Sequence, residues 1–303
     1  VSIARSILLR ASRSRWLESQ FRRRRFAQRA VRRFMPGEDL QSALGACRDL
    51  AASNLGTVLT NLGERTESRE AALAVRDHYL GVLDDIAARK VPTEVSVKLT
   101  HLGMSIDFDA CTASVIALAR RAGAAHLWID MEESQYVDQT LELFRRVRAQ
   151  CSNAGLCLQS YLRRTPADLE SLMPLAPAIR LVKGAYREPP DVAFPKKSDT
   201  DSAYFELSRR LLEAAAAGRA FPVFGTHDLA LIERIRQAAA NVPAGRWEVH
   251  MLYGIKSGEQ ARLAASGVRV RTLISYGTNW YPWYVRRLAE RPANVWFVVR
   301  NLW

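Results

Sequence analysis

Ile179-Arg-Leu-Val182 places two aliphatic side chains on one parity and Arg180 on the other, and the pattern repeats upstream in Val95-Ser-Val-Lys98, Leu127-Trp-Ile-Asp130 and Leu156-Cys-Leu-Gln159. Side chains alternate faces along a strand, so these runs turn Val, Leu or Ile to one side and Lys98, Asp130, Gln159 or Arg180 to the other. Working outward, β-type runs recur at Thr57–Thr60, Glu94–Leu99, His126–Asp130, Leu156–Ser160, Ile179–Lys183, Phe221–Gly225, Trp247–Leu252 and Val268–Ile274. From Glu94 on, successive starts lie 21 to 42 residues apart with mostly helical patterns between them, the spacing of strand-helix units. Eight such units predict a closed α/β barrel of the TIM type, (β/α)8. The aliphatic parity then packs on the outer helices and the polar parity points inward, mostly near strand C-terminal ends, where barrel enzymes build their sites. An open doubly wound sheet is the competing architecture, but no Gly-x-Gly-x-x-Gly follows the first strand.

A chain of 303 residues is long enough for such a barrel as one large core. The net charge of +13 resembles a nucleic-acid signal until it is located. Residues 1–33 hold eleven arginines against one acid, Glu18, and so carry +10, leaving +3 for the rest. The chain therefore divides into a basic, mostly helical N-terminal arm over residues 1–54 and a barrel domain over 55–303. Arg22 to Arg25, interleaved with Phe21, Phe26, Val31 and Phe34, suit peripheral contact with an anionic membrane surface, and a solvated helical face is the competing reading. A nucleic-acid role is not expected of the main domain. Cys47, Cys111, Cys151 and Cys157 show no Cys-x-x-Cys spacing and fit buried thiols in a reducing compartment. No metal site is expected, and no apolar run reaches the length of a membrane span.

Three segments carry candidate chemistry. In Tyr276-Gly-Thr-Asn-Trp-Tyr-Pro-Trp-Tyr-Val-Arg-Arg-Leu-Ala-Glu-Arg-Pro292, a helix is predicted after Pro282. Arg286 and Arg287 form a cationic fork on it, and Glu290 shares a face with Arg286 four residues away. Arg180-Leu-Val-Lys-Gly-Ala-Tyr-Arg-Glu188 runs from a strand into small residues that let backbone approach a flat or phosphorylated ligand, with Lys183 as a point charge for phosphate. Phe224-Gly-Thr-His-Asp228 ends a strand in a hydroxyl and an imidazole. The proline-rich, charged stretch after Glu188 reads as a rim loop of lid length. Lys98 and Asp130, on neighbouring strands, are expected to pair, since either charge buried alone is costly.

Taken in order over roughly residues 55–303, these segments together with Ile129-Asp-Met-Glu-Glu133, Gln159-Ser-Tyr161 and Met251-Leu-Tyr-Gly254 resemble the proline dehydrogenases of the bacterial monofunctional type. The resemblance implies a distorted (β/α)8 barrel with N-terminal helices, a final helix over its mouth, and non-covalent FAD. It also implies oxidation of L-proline to 1-pyrroline-5-carboxylate with electrons passed to a quinone, in a cytoplasmic protein peripheral to the inner face of the membrane. Carried onto this chain, Lys98, Arg286 and Arg287 hold the substrate carboxylate, Tyr186 and Leu252 wall the pocket, and Glu290 pairs with the arginine helix. Asp130 and Arg180 are the catalytic candidates, Arg180 lying against the flavin. Met131, Gln159, Val182, Lys183, Gly184, Ala185, Thr226 and His227 join Arg180 in lining FAD. Leu273 stands where the family usually has a tyrosine, Ser275 where it has proline and Thr60 where an aspartate is common. A preference for a proline analogue such as hydroxyproline is therefore the alternative. A Schiff-base aldolase or lyase using Lys98 or Lys183 is a further one.

Overall fold

The computed structural model describes residues 31–281. Arg22 to Arg25 at one end, and Arg286, Arg287, Glu290 and the helix expected after Pro282 at the other, lie outside the described residues. Eight parallel strands close into a barrel in sequence order: β1 (Gly56–Asn61), β2 (Thr93–Val97), β3 (Leu127–Ile129), β4 (Ala154–Gln159), β5 (Ala178–Val182), β6 (Phe221–Gly225), β7 (Glu248–Leu252) and β8 (Val270–Tyr276). Closure runs from Gly56 opposite Arg271 to Asn61 opposite Tyr276. That register carries β8 two residues beyond the expected end at Ile274, into the start of the aromatic segment.

Helices α1 (Leu40–Ala52), α2 (Arg69–Ala88), α3 (Phe108–Ala122), α4 (Val137–Arg148), α5 (Thr165–Leu172), α6 (Lys197–Ala216), α7 (Leu229–Ala238) and α8 (Ser257–Ala265) complete the described elements. Local chemistry starts several of them. Asp39, Ser68, Asp107 and Asp228 each cap an otherwise unpaired backbone N–H of the first turn of α1, α2, α3 and α7. Apolar spacing then aims them. In α4, Val137, Leu141, Phe144 and Val147 recur three or four apart, are buried, and leave Arg145, Arg146 and Arg148 on the other side.

The parity read from the sequence is borne out by two distinct apolar clusters. Val95, Val97, Leu127, Ile129, Leu156, Leu158, Ile179 and Leu181 join the layer between strands and helices. Val58, Trp128, Ala178 and Val223 form a separate cluster, with Phe221 and Leu273 packed against it. Gly155 lies beside it because a Cβ there would stand 2.6 Å from the Trp128 ring.

Charges fill the N-terminal end of the barrel. Glu94 and Glu248 are buried, and Arg271 bridges them at 3.1 and 2.7 Å. Arg269 reaches Glu248 at 2.7 Å, and the Trp128 indole N–H donates to Glu94 at 2.6 Å. Burial alone would push the Glu248 carboxyl up, but His250 and Arg271 beside it hold it at about 2. This floor was not anticipated from the sequence.

Helix α1 belongs to the same packing, with Ala43, Leu44 and Cys47 in the main core. Just before it, the Glu38 carbonyl accepts from Gly277 N–H at 2.9 Å and its carboxylate from the Trp280 indole at 2.6 Å. Gly254 has φ +71° and faces the Arg33 carbonyl, so the glycine of Met251-Leu-Tyr-Gly254 makes room for the chain entering α1. All four cysteines are free and buried, and no helix among the described residues is long and apolar enough to cross a membrane.

Candidate active site

Lys98, Asp130 and Arg180 meet at the C-terminal mouth. The Asp130 carboxylate accepts from Lys98 Nζ at 2.9 Å through Oδ2, and from Arg180 Nη2 through Oδ1. Lys98 follows β2 and Asp130 follows β3, and Asp130 N–H continues the ladder to the Val97 carbonyl at 2.9 Å. The pair is therefore placed by strand register. Ser96, two residues before Lys98 on the same inward parity, also donates to Asp130 Oδ1, at 2.9 Å. Burial would lift the Asp130 carboxyl, yet Lys98 and Arg180 hold it below its ordinary value. Burial would likewise drain the Lys98 ammonium, and Asp130 reverses that, keeping it protonated well above its usual range. Two cations around one carboxylate leave this partly desolvated mouth net positive, a setting that favours an anionic ligand.

Arg180 is 3% exposed, with its guanidinium 5.2 Å over the Trp128 ring. Nη1 has no hydrogen-bond partner among the described residues. Gln159 is in a related position: Nε2 donates to the Met131 carbonyl at 3.2 Å, while the buried Oε1 lacks a partner. A donor and an acceptor thus stand unpaired in one barrel interior, a polar set that a heteroaromatic ring edge satisfies.

The other predicted residues are placed as follows. Lys183 Nζ lies 2.5 Å from Asp201 and 3.0 Å from Asp228, so its charge is already met by two carboxylates rather than standing as a free point charge for phosphate. Gly184 has φ +116°, and a Cβ there would sit 2.2 Å from the Tyr161 ring. Its smallness is thus demanded by Tyr161 as well as by any ligand. Val182 is half-buried at the end of β5, Ala185 is exposed, and Tyr186 is half-buried. Thr226 is buried after β6, and its hydroxyl accepts from Asp228 N–H at 3.2 Å. His227 Nε2 accepts from the Leu252 N–H at 2.9 Å, which leaves the ring proton of the neutral form on Nδ1 and ties the β6 and β7 loops together.

Several site residues were missed by reading the sequence. Besides Ser96, the carboxylates of Asp130-Met-Glu-Glu133 go to different neighbours. Glu132 accepts from Thr100 N–H at 3.0 Å and its hydroxyl at 2.6 Å, and Glu133 pairs with Arg65 of the loop after β1. Glu188 accepts from Ser134 N–H and hydroxyl at 2.7 and 2.6 Å, tying the rim loop after β5 to the loop after β3. The available signal was parity: Glu94-x-Ser96-x-Lys98 is polar at every second position.

The proline dehydrogenase family model matches residues 43–300. The chain belongs to the proline dehydrogenase family. Within it, the chain is 33% identical over 277 residues to proline dehydrogenase 1 of Bacillus subtilis subsp. natto, covering 90% of each. It is 35% identical over 280 residues to proline dehydrogenase of Deinococcus radiodurans, covering 89% of each. Among solved structures, the fold is similar to that of proline utilization A from Bdellovibrio bacteriovorus inactivated by N-propargylglycine, with TM-score 0.81 and 23% identity. That match covers 86% of this chain and 32% of the other, so this family member spans about a third of the larger protein's length.

Proposed function

We propose that this chain oxidises L-proline to 1-pyrroline-5-carboxylate with non-covalently bound FAD and passes the electrons to a membrane quinone. As a proline dehydrogenase family member it is an oxidoreductase acting on proline. The cofactor, product and acceptor go beyond that. The observation that carries the reading is the Lys98–Asp130–Arg180 cluster at the barrel mouth, with the unpaired polar atoms of Arg180 and Gln159 beside it.

In this reading Lys98, joined by Arg286 and Arg287, grips the substrate carboxylate, Glu290 supports the arginines, and Tyr186 and Leu252 wall the ring. Fixing the ring's pose is most of what a hydride donor requires of its site. Met131, Gln159, Val182, Lys183, Gly184, Ala185, Thr226 and His227 would hold FAD, which supplies the two-electron acceptor for a hydride leaving the carbon next to nitrogen. Asp130 keeps Lys98 charged, and Arg180 offers positive charge where negative charge develops. The same pairing counts against a Schiff-base reading, because a lysine held protonated is a poor nucleophile. Residues 55–303 supply the catalytic barrel. Residues 1–54 supply the basic arm, whose α1 docks on it and whose eleven arginines in residues 1–33 suit peripheral hold on an anionic cytoplasmic membrane face.

The test is an absorption spectrum of the purified protein under anaerobic conditions, before and after L-proline. Flavin bands that bleach are expected, and a colourless protein overturns the cofactor. Oxidation of hydroxyproline without oxidation of proline overturns the substrate. Time-dependent, irreversible loss of activity with N-propargylglycine, the inactivator of the Bdellovibrio protein, is also expected. Equal partition of full-length and arm-truncated protein onto anionic vesicles overturns the membrane role.

A further inference from the structure

Ser96 joins the two candidate catalytic side chains from a position that the family reading leaves unassigned. It is on β2 with no exposure to solvent, and its hydroxyl has a partner in each direction. The oxygen accepts from Arg180 Nη2 at 2.7 Å, and the proton points to Asp130 Oδ1 at 2.9 Å. Because Arg180 Nη2 also donates to Asp130 Oδ1, the hydroxyl, carboxylate and guanidinium close a three-membered hydrogen-bonded ring. A guanidinium held at one nitrogen by a single acceptor can still swing about that bond. A second acceptor on the same nitrogen, with the Trp128 ring beneath, fixes its azimuth. The buried Nη1, which has no partner among the described residues, is then the nitrogen left to meet a ligand.

We propose that Ser96 is a positioning residue for the reaction: its hydroxyl orients the Arg180 guanidinium so that Nη1 faces the cofactor, and it holds Asp130 in place for Lys98. The proposal rests on the flavin reading above. An alanine at this position leaves Nη2 with one acceptor and Asp130 with one donor fewer, while removing too little volume to empty the core.

The experiment compares wild type, Ser96→Ala and Ser96→Thr as purified holoenzymes. It measures flavin content, the midpoint potential of the bound flavin, steady-state kinetics with proline, and thermal unfolding. Ser96→Ala is expected to keep its flavin, lose about tenfold in kcat with KM for proline within about twofold, and show a midpoint potential lower by about 30 mV, which is a tenfold change for a two-electron couple. Ser96→Thr, which retains the hydroxyl, restores the potential and most of kcat. An unshifted potential with kcat within about twofold of wild type in Ser96→Ala overturns the proposal. So does an equal loss in alanine and threonine variants that both unfold earlier, which marks Ser96 as core packing. Wild type without flavin overturns the functional reading and this inference with it, a result distinct from a normal wild type beside an unaffected alanine variant.

Discussion

Replacing Arg271 by methionine removes the cation shared by two buried carboxylates while roughly conserving its length. Arg271 reaches Glu94 at 3.1 Å and Glu248 at 2.7 Å, and both acids are at least 95% buried. Breaking a buried ion pair by deleting one partner costs about 3–5 kcal/mol, because the other charge stays behind uncompensated. For a domain of this size that lowers Tm by roughly 10 °C. Arg269 still holds Glu248 at 2.7 Å, so Glu94, left with His126 and the Trp128 indole, bears most of the loss. The pH dependence discriminates further. In the native protein Glu248 titrates at about 2 against an ordinary 4.5. A depressed carboxylate contributes stability that is present above the unfolded pKa and lost as pH falls through the folded one, here about 3 kcal/mol between pH 4.5 and 2. Without Arg271, desolvation raises the Glu94 carboxyl above its unfolded value, and stability then declines as pH rises from about 4 to 7. Urea unfolding from pH 4 to 8 reads both the loss and the slope. The floor is remote from the mouth, so KM for proline stays within about twofold. A variant with unchanged unfolding midpoint, or with the wild-type pH slope, refutes the view that this network holds the barrel floor together.

Lys98→Met leaves Asp130 paired to Arg180 while removing the mouth's carboxylate grip from β2; flavin binding survives and KM for proline rises by one to two orders of magnitude, on the order of the 2–3 kcal/mol of a charge-assisted hydrogen bond. Steady-state kinetics over a wide proline range check it, and an unchanged KM removes Lys98 from the substrate site. Gly184→Ala meets both the Tyr161 ring at 2.2 Å and a φ of +116°, so it costs at least about 1–3 kcal/mol locally and lowers retained flavin. Full flavin content with native Tm in that variant would refute the need for glycine there.

The fold was legible because the strands keep a strict parity and each is followed by a helix-length interval. All eight appear within about two residues of their expected starts and ends, and β6 has the expected bounds. Lys98, Asp130 and Arg180 were legible because a charge on the inward face of a strand is too costly to leave unpaired. Ser96 was not, since a small hydroxyl in a strand carries no cost that marks it. The floor was overlooked for a different reason. Glu94, Glu248 and Arg271 sit at or near strand starts, where charges usually meet solvent, and only closure of the barrel turns them toward one another. Lys183 and Gly184 have neighbours distant in sequence, Asp201, Asp228 and Tyr161, which local motif chemistry cannot supply.

Glu38 holds Gly277 through its carbonyl and Trp280 through its carboxylate, so the last strand hands on the chain under restraint from a residue seventeen positions before the barrel begins. Shortened versions that begin at the first strand would retain every inward-facing group of the mouth yet release the route toward Arg286 and Arg287. Such a protein could still take up its pigment while its appetite for substrate fell away, which makes the front of the chain a distant hand on the closing end.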